Sequence, residues 1–334
     1  MPMRLAINGF GRIGRAAFKI ALTKPDVEVV AINDLTDTAT LAHLLQYDTV
    51  YGKYDKLVKS NDKSLLVDGK EYPVLAEKEP NKLPWKDFKV DVVIESTGRF
   101  VKQEQAALHL EAGAKRVVIS APAKGGGVDT FVLGVNDAKL KDQKIISNAS
   151  CTTNCIAPVI EVVNRVFGIK KAMMTTIHSY TADQNLVDGP HKDLRRARAA
   201  AANMVPTSTG AAKATGETVP EVKGKFDGLS IRVPTPVVSI SDITMVVSKP
   251  VTVEEVNAAF AAAKNEPRYQ GILDATDEEL VSSDFIGNPH ASIVDLSLTN
   301  VVDGDLLKVV AWYDNEWGYS NTLVRICQSI GKKI

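Results

Sequence analysis

Through the first 150 residues, short runs of consecutive apolar positions alternate with stretches whose apolar residues recur every three to four positions. This is the pattern of buried strands alternating with amphipathic helices. Leu5-Ala6-Ile7 reads as a buried strand, Arg12 to Leu22 as a helix with Ile13, Ala17, Ile20 and Ala21 on one side, and Thr23 to Asp26 as a turn. Val27 to Asn33 is a second strand, and Leu41 to Leu45 a short helix behind the cap candidates Asp37 and Thr38. Asp91 to Ser96 and Arg116 to Ser120 are further strands, separated by a helix from Gln103 to Ala112 that Gly113 closes. Strands that alternate with helices predict a parallel, doubly wound sheet. Residues 47 to 88 are rich in Lys and Asp, and Asp68-Gly69 between Leu65-Leu66-Val67 and Tyr72-Pro73-Val74 marks a hairpin inserted into that plan.

From Cys151 the pattern changes. A helix from Cys151 to Phe167, stopped by Gly168, leads into a strand from Ala172 to Ser179 and then a polar, basic stretch without period, Tyr180 to Arg198. Strands Leu229 to Val233, Val237 to Val247, Ala291 to Leu298 and Leu306 to Tyr313 follow, with Asp303-Gly304 as a hairpin turn. Thr252 and Glu255 form a capping box at the head of a helix reaching Lys264, and Trp317 to Ile330 is a last amphipathic helix. The second half is therefore expected to be α+β, with an antiparallel or mixed sheet.

Composition narrows the function classes. At 334 residues two domains are the prior expectation, and 45% hydrophobic with 24% charged residues excludes global disorder. Forty basic and forty acidic residues cancel, so no chain-wide positive field exists to hold a nucleic acid as main partner. Three cysteines, an odd number, argue against a disulfide framework and for a reducing compartment. No secretory signal and no uncharged apolar run of membrane-spanning length is visible, so a cytoplasmic protein is expected.

Two segments carry chemistry. Asn8-Gly9-Phe10-Gly11-Arg12-Ile13-Gly14 contains G-x-G-x-x-G between a strand and a helix start. There Gly9 lets the chain turn, Gly11 lets backbone N–H groups approach a pyrophosphate, and Gly14 permits close packing of helix on strand. Asp34, 20 residues beyond Gly14, ends the second strand, where its carboxylate can accept from a ribose diol and repel a 2′-phosphate. NAD is thereby favoured over NADP. In the second segment, strand-like Ile145-Ile146-Ser147 precedes Asn148-Ala149-Ser150-Cys151-Thr152-Thr153-Asn154-Cys155 at a helix start. A thiol in a first helical turn meets unsatisfied N–H groups that lower its pKa, which makes Cys151 a candidate nucleophile; a buried structural cysteine is the alternative. Cys155 lies one turn further in, where packing is expected, and the remote Cys327 and scattered histidines leave no metal-ligand set. His178, at a strand end, is either a base or a hydrogen-bonded core histidine. Thr181, Thr207 to Gly210, the Arg195-Arg196-Ala197-Arg198 cluster and Arg232 together suit phosphate, although each basic group alone could be a solvated or strand-edge arginine.

Seven ordered segments are similar to those of the phosphorylating glyceraldehyde-3-phosphate dehydrogenase family: Asn8 to Arg15, Ala149 to Cys155, His178 to Thr181, His191 to Arg198, Ser208 to Lys213, Arg232 to Pro236 and Trp312 to Ser320. The resemblance covers essentially the whole chain. It implies a Rossmann-type NAD-binding domain over residues 1–150, an α+β catalytic domain over 151–315 with a mostly antiparallel sheet, and a C-terminal helix, 316–334, packed back on the first domain. It implies that Cys151 attacks the aldehyde carbon with His178 as base and later acid. It implies, too, that Thr181 and Arg232 hold the substrate phosphate, and that Ser150, Thr152, Thr209 and Gly210 hold the attacking inorganic phosphate, with Arg196 shared. Arg12, Ile13, Asp34, Lys78, Ser120 and Asn315 would contact NAD beside Gly9, Gly11 and Gly14. A homotetramer is implied, the 180 to 200 loop of one subunit reaching a neighbour's cofactor. The chain departs from the family pattern at Gly125-Gly126-Gly127, Gly189 and Trp317. A same-fold dehydrogenase for another aldehyde, such as erythrose 4-phosphate, is the nearest rival.

Overall fold

The computed structural model describes residues 1–334, which divide into two compact units. The first comprises Met1–Phe131, Lys139–Ala149 and Ser320–Ile334; the second comprises Val132–Ala138 and Ser150–Tyr319.

In the first unit the strand Met3–Asn8 lies between Val27–Asn33 on one side and Val92–Glu95 on the other, parallel to both. Arg116–Ile119, Ile145–Ser147 and Asp129–Thr130 extend the parallel sheet on the Val92–Glu95 side. On the other side Lys70–Leu75 joins parallel, and Ser64–Val67 and Val58–Asn61 complete nine strands as antiparallel neighbours. Successive strands thus leave Met3–Asn8 first to one side and then to the other. The carboxyl ends of Met3–Asn8 and Val92–Glu95 consequently form the switch point at which doubly wound sheets bind ligands. Leu5, Ile7, Ile32, Val92 and Ile94 are fully buried, and burial of such a side chain contributes about 1.5–3 kcal/mol. The hairpin turn at Asp68-Gly69 has both residues at positive φ, 49° and 82°, as a two-residue primed turn requires.

In the second unit a seven-stranded mixed sheet runs Val205–Ser208, Phe226–Val233, Ile169–Ser179, Ser239–Val247, Leu306–Tyr313, Ser292–Val302, Leu273–Thr276. Two neighbouring pairs are parallel, Ile169–Ser179 with Phe226–Val233 and Leu273–Thr276 with Ser292–Val302, and the rest are antiparallel. The helices Cys151–Phe167, Ala211–Thr218 and Val253–Ala263 supply Val159, Ile160, Val163, Ala212 and Phe260 to a core that also takes Met174, Ile243 and Leu307 from the strands. Thr252 and Glu255 close the capping box of the last of these helices. The opposite strand positions leave Met173, Leu229, Val302 and Leu306 exposed. Trp317–Gly331 is the final helix, whose residues from Ser320 onward belong to the first unit.

The alternating patterns set several bounds closely: Val27–Asn33, Cys151–Phe167 and Leu306–Tyr313 stand where the hydrophobic runs begin and end. Other elements differ. The strand expected to start at Ala172 starts at Ile169, and the one expected to end at Leu298 continues to Val302 past an irregularity between Asp295 and Asn300. Ala211–Thr218 is helical although Ala, Thr and Gly there give no amphipathic signal.

Candidate active site

The glycine segment turns as the strand ends. Gly9 adopts φ 94°, and a Cβ there would lie 2.7 Å from the backbone nitrogen of Thr97, so any other residue would have to displace main chain. At Gly14 a Cβ would collide with the carbonyl oxygen of Gly9, which is the close helix-to-strand packing expected of that position. Gly11 has nothing within 4 Å of the space a Cβ would take, and the helix Arg12–Ala21 opens without a side-chain cap. The structure thus leaves room over a helix N-terminus for an anionic group, with Ile13 half-buried in the first turn. Asp34 Oδ2 accepts from the Phe10 N–H at 2.7 Å and Oδ1 from the Thr36 N–H at 3.0 Å, which sets the carboxylate beside the loop. Arg12 pairs with Asp48 at 3.1 Å. Lys78 is exposed beyond the strand Lys70–Leu75, and Ser120, half-buried, follows Arg116–Ile119 with its N–H on the Glu95 carbonyl. These residues fit a dinucleotide at the switch point.

In the second unit Ser150 caps the helix Cys151–Phe167, its Oγ accepting from the Thr153 N–H at 3.1 Å. Cys151 is half-buried in the first turn, with Sγ 3.5 Å from His178 Nε2. His178 is 3% exposed and donates from Nδ1 to the Ser179 carbonyl at 2.7 Å, which leaves Nε2 to accept from the thiol. Several further partners have no signal in the sequence pattern. Tyr313 packs edge-on against the His178 ring at 5.9 Å, while its hydroxyl meets Thr152 Oγ1 at 2.9 Å and Thr176 Oγ1 at 2.8 Å. Ser179 and Ser239 both donate to Asn315 Oδ1, at 3.0 and 3.1 Å. Only the fold reveals these partners, since strand pairing brings residues more than 60 positions apart to one end of the sheet.

The cations are unequal. Arg232 stands opposite His178 in the parallel ladder and donates from Nη1 to Thr181 Oγ1 at 3.0 Å and to the Ser179 carbonyl at 3.4 Å. Its Nε is buried without a partner, a donor in want of an acceptor. Arg196 is occupied instead, donating from Nε to Thr207 Oγ1 at 2.9 Å and pairing with Asp183. Thr209 Oγ1 accepts from the Ala211 N–H at 3.2 Å, and Gly210, exposed, is the N-cap of Ala211–Thr218.

The expectation that the helix terminus leaves Cys151 with a lowered pKa is corrected here. Burial pushes the thiol up, outweighing the Arg232 guanidinium, the Thr152 hydroxyl and the backbone N–H groups that pull it down. Burial and Arg232 together push His178 down to about 3. Both groups are therefore held neutral singly, whereas movement of the proton from Sγ to Nε2 creates two charges side by side whose attraction offsets part of the burial cost. Cys155 is fully buried, its S–H directed at Ser292 Oγ 3.7 Å away, and is pushed up to about 12; burial also pushes the Cys327 thiol up. No group of three or more His, Cys, Asp or Glu side chains is arranged to hold a metal ion.

Comparison with known proteins agrees with this arrangement. Residues 3–103 match the model of the glyceraldehyde 3-phosphate dehydrogenase NAD binding domain, and residues 150–315 that of its C-terminal domain. The chain is similar to the glyceraldehyde-3-phosphate dehydrogenase of Geobacillus stearothermophilus, with 55% identity over 100% of this chain and 99% of the relative. It is 54% identical to glyceraldehyde-3-phosphate dehydrogenase 1 of Bacillus subtilis over the same shares, and 53% identical to the Mycobacterium avium enzyme over the full length of both. With both halves matched and relatives of more than half identity end to end, the chain belongs to the glyceraldehyde-3-phosphate dehydrogenase family.

Proposed function

We propose that this chain oxidises D-glyceraldehyde 3-phosphate to 1,3-bisphosphoglycerate with NAD and inorganic phosphate, through a thioester on Cys151. The observation that carries this reading is the thiol 3.5 Å from an imidazole of fixed tautomer, beside an arginine whose buried Nε lacks a partner. Cys151 Sγ bonds to the aldehyde carbon while its proton passes to His178 Nε2, and His178 returns that proton to the resulting oxyanion to give a hemithioacetal, which leaves Nε2 free again. NAD, when bound, supplies the acceptor for the hydride that then leaves that carbon. His178 takes the hydroxyl proton in the same step, leaving a thioester. An oxygen of inorganic phosphate attacks the thioester carbon, the C–S bond breaks, and the thiolate recovers its proton from His178.

Arg232 and Thr181 hold the substrate phosphate in this scheme. Ser150, Thr209 and Gly210 serve the attacking phosphate; Thr152, whose hydroxyl meets Tyr313, contributes through its place in the first helical turn. Arg196 joins either anion only by loosening its hold on Asp183 and Thr207. Arg12, Ile13, Asp34, Lys78, Ser120 and Asn315 are the NAD contacts, and Asp34 disfavours a 2′-phosphate by charge. The first unit serves as NAD-binding domain and the second as catalytic domain. A homotetramer gives Met173, Leu229, Val302 and Leu306 something to cover them, and gives the same to the loop residues Leu186, Val187 and Leu194, which are 79%, 71% and 81% exposed. Three free cysteines accord with a cytoplasmic location, and no helix is long and apolar enough to cross a membrane.

The test is NADH formation by purified protein from the aldehyde phosphate, with and without inorganic phosphate. Turnover that requires both supports the reading. Turnover indifferent to phosphate, or faster with erythrose 4-phosphate, overturns it.

A further inference from the structure

Three neighbouring strands of the first unit end in polar residues that face one another. Asn8 is in register with Asn33 on one side and Glu95 on the other, and all three side chains are at least 95% buried. Glu95 Oε2 accepts from Asn8 Nδ2 and from His109 Nε2 at 3.0 Å, while Oε1 accepts from the Thr97 hydroxyl and from the Thr97 N–H at 2.9 Å. Four donors fill the lone-pair directions of one carboxylate. His109, fully buried, accepts at Nδ1 from Trp85 Nε1 at 2.9 Å. Because an indole nitrogen only donates, the imidazole proton lies on Nε2 and points at Glu95. On the other flank Asn33 Nδ2 donates to Asn8 Oδ1 at 2.7 Å and to the Glu77 carbonyl, and Asn33 Oδ1 accepts from the Glu77 N–H.

A continuous line of hydrogen bonds thus runs from Trp85 through His109, Glu95, Asn8 and Asn33 to Glu77. An apolar filling would cost less desolvation, so the line is to be explained by where it ends. Asn8 directly precedes Gly9, and Glu77 directly precedes Lys78. Thr97, gripped by Glu95, is the backbone wall against which Gly9 turns, and Ser96 Oγ donates to the Gly9 carbonyl at 2.8 Å. We infer that Glu95, with Asn8, Asn33 and His109, is the positioning set of the dinucleotide site: it fixes the glycine turn and the Lys78 segment relative to each other without touching NAD. This rests on the reading of the glycine loop as the NAD site.

Glu95→Gln tests it, because an amide of the same shape puts two hydrogens among four converging donors. Calorimetric titration with NAD should show Kd raised about tenfold or more, one charge-assisted hydrogen bond's worth at ~1.4 kcal/mol per decade. The kcat at saturating NAD should stay within about twofold, since the thiol and imidazole are unaltered. Trp85→Phe, which frees the His109 tautomer from a remote position, should raise Kd by a smaller factor and serves in place of Glu95→Gln if that variant fails to fold. Wild-type Kd in the folded variants, with only the melting temperature lowered, overturns the inference. A wild-type protein that does not bind NAD at all instead overturns the cofactor reading on which it rests.

Discussion

Two histidines in this chain are equally deep and differently employed. His109 is 0% exposed and His178 3%, and each gives one ring nitrogen to a structural partner, Trp85 for the first and the Ser179 carbonyl for the second. They part at the other nitrogen. The Nε2 of His109 donates to a carboxylate already committed to three further donors, whereas that of His178 accepts from a thiol at 3.5 Å, with a guanidinium close by. A buried imidazole with both nitrogens committed to saturated partners is a rigid spacer; one whose second partner can surrender a proton is a working acid and base. Depth alone does not distinguish them, and neither does the residue type.

The contrast can be broken most severely at the thiol. Cys151→Ser should lower turnover by more than ~10⁴-fold, because a hydroxyl is a poor nucleophile at neutral pH and no thioester can form. Acid-quenched single turnovers should also show no acyl-enzyme, and a serine variant that retains a tenth of wild-type activity would remove Cys151 from the reaction. Next in size is His178→Asn, expected to cost about 10²- to 10⁴-fold in kcat. Its iodoacetamide inactivation profile should move to higher pH, with the label found on Cys151; superimposable profiles, or label chiefly on Cys155 or Cys327, would refute the pairing. Arg232→Ala should reduce kcat/KM for the phosphorylated aldehyde by about 10- to 100-fold and leave unphosphorylated glyceraldehyde far less affected. Equal losses on both substrates would make Arg232 structural.

The smallest effect is on stability. His178 is held at about 3 in the folded chain against an ordinary value near 6.5, so the unfolded chain binds the proton first as pH falls. Its contribution is complete above about pH 6.5 and is lost between there and pH 3, at up to ~1.4 kcal/mol per pH unit. Denaturant titrations across that window should show a shallower acid slope for His178→Asn than for wild type. Equal slopes would mean that the imidazole is less isolated from water than its burial indicates.

Local signals account for what the sequence disclosed. Asp68-Gly69 and Asp303-Gly304 declare hairpins because positive φ favours glycine and tolerates aspartate, and both aspartates do adopt positive φ, 49° and 50°. The glycine segment and Asp34 were readable together because a βα turn and the strand after it occupy one continuous stretch of chain. The helix start at Cys151 is visible in sequence, whereas the desolvation that outweighs its pull on the thiol is a property of packing. The Glu95 line stayed hidden for a related reason. Asn8, Asn33, Glu95 and His109 are each unremarkable where they stand in sequence; the parallel register makes the first three neighbours, and the helix Gln103–Glu111 brings His109 to Glu95.

Strand register has a different consequence in the second unit. In Ile169–Ser179 the side chains of Ala172, Met174, Thr176 and His178 share the buried face, and His178 pairs with Arg232 on the adjoining strand. A slip of one residue would carry the imidazole away from the thiol and, by the same movement, turn Met174 outward and Met173 inward. The assembly error that would kill activity is thus also the one that would empty the core. No well-folded but misregistered population should accumulate, and during unfolding the catalytic signal and the exchange protection of these strand amides should vanish in a single transition. In this half of the chain, active-site assembly needs no checkpoint beyond folding itself.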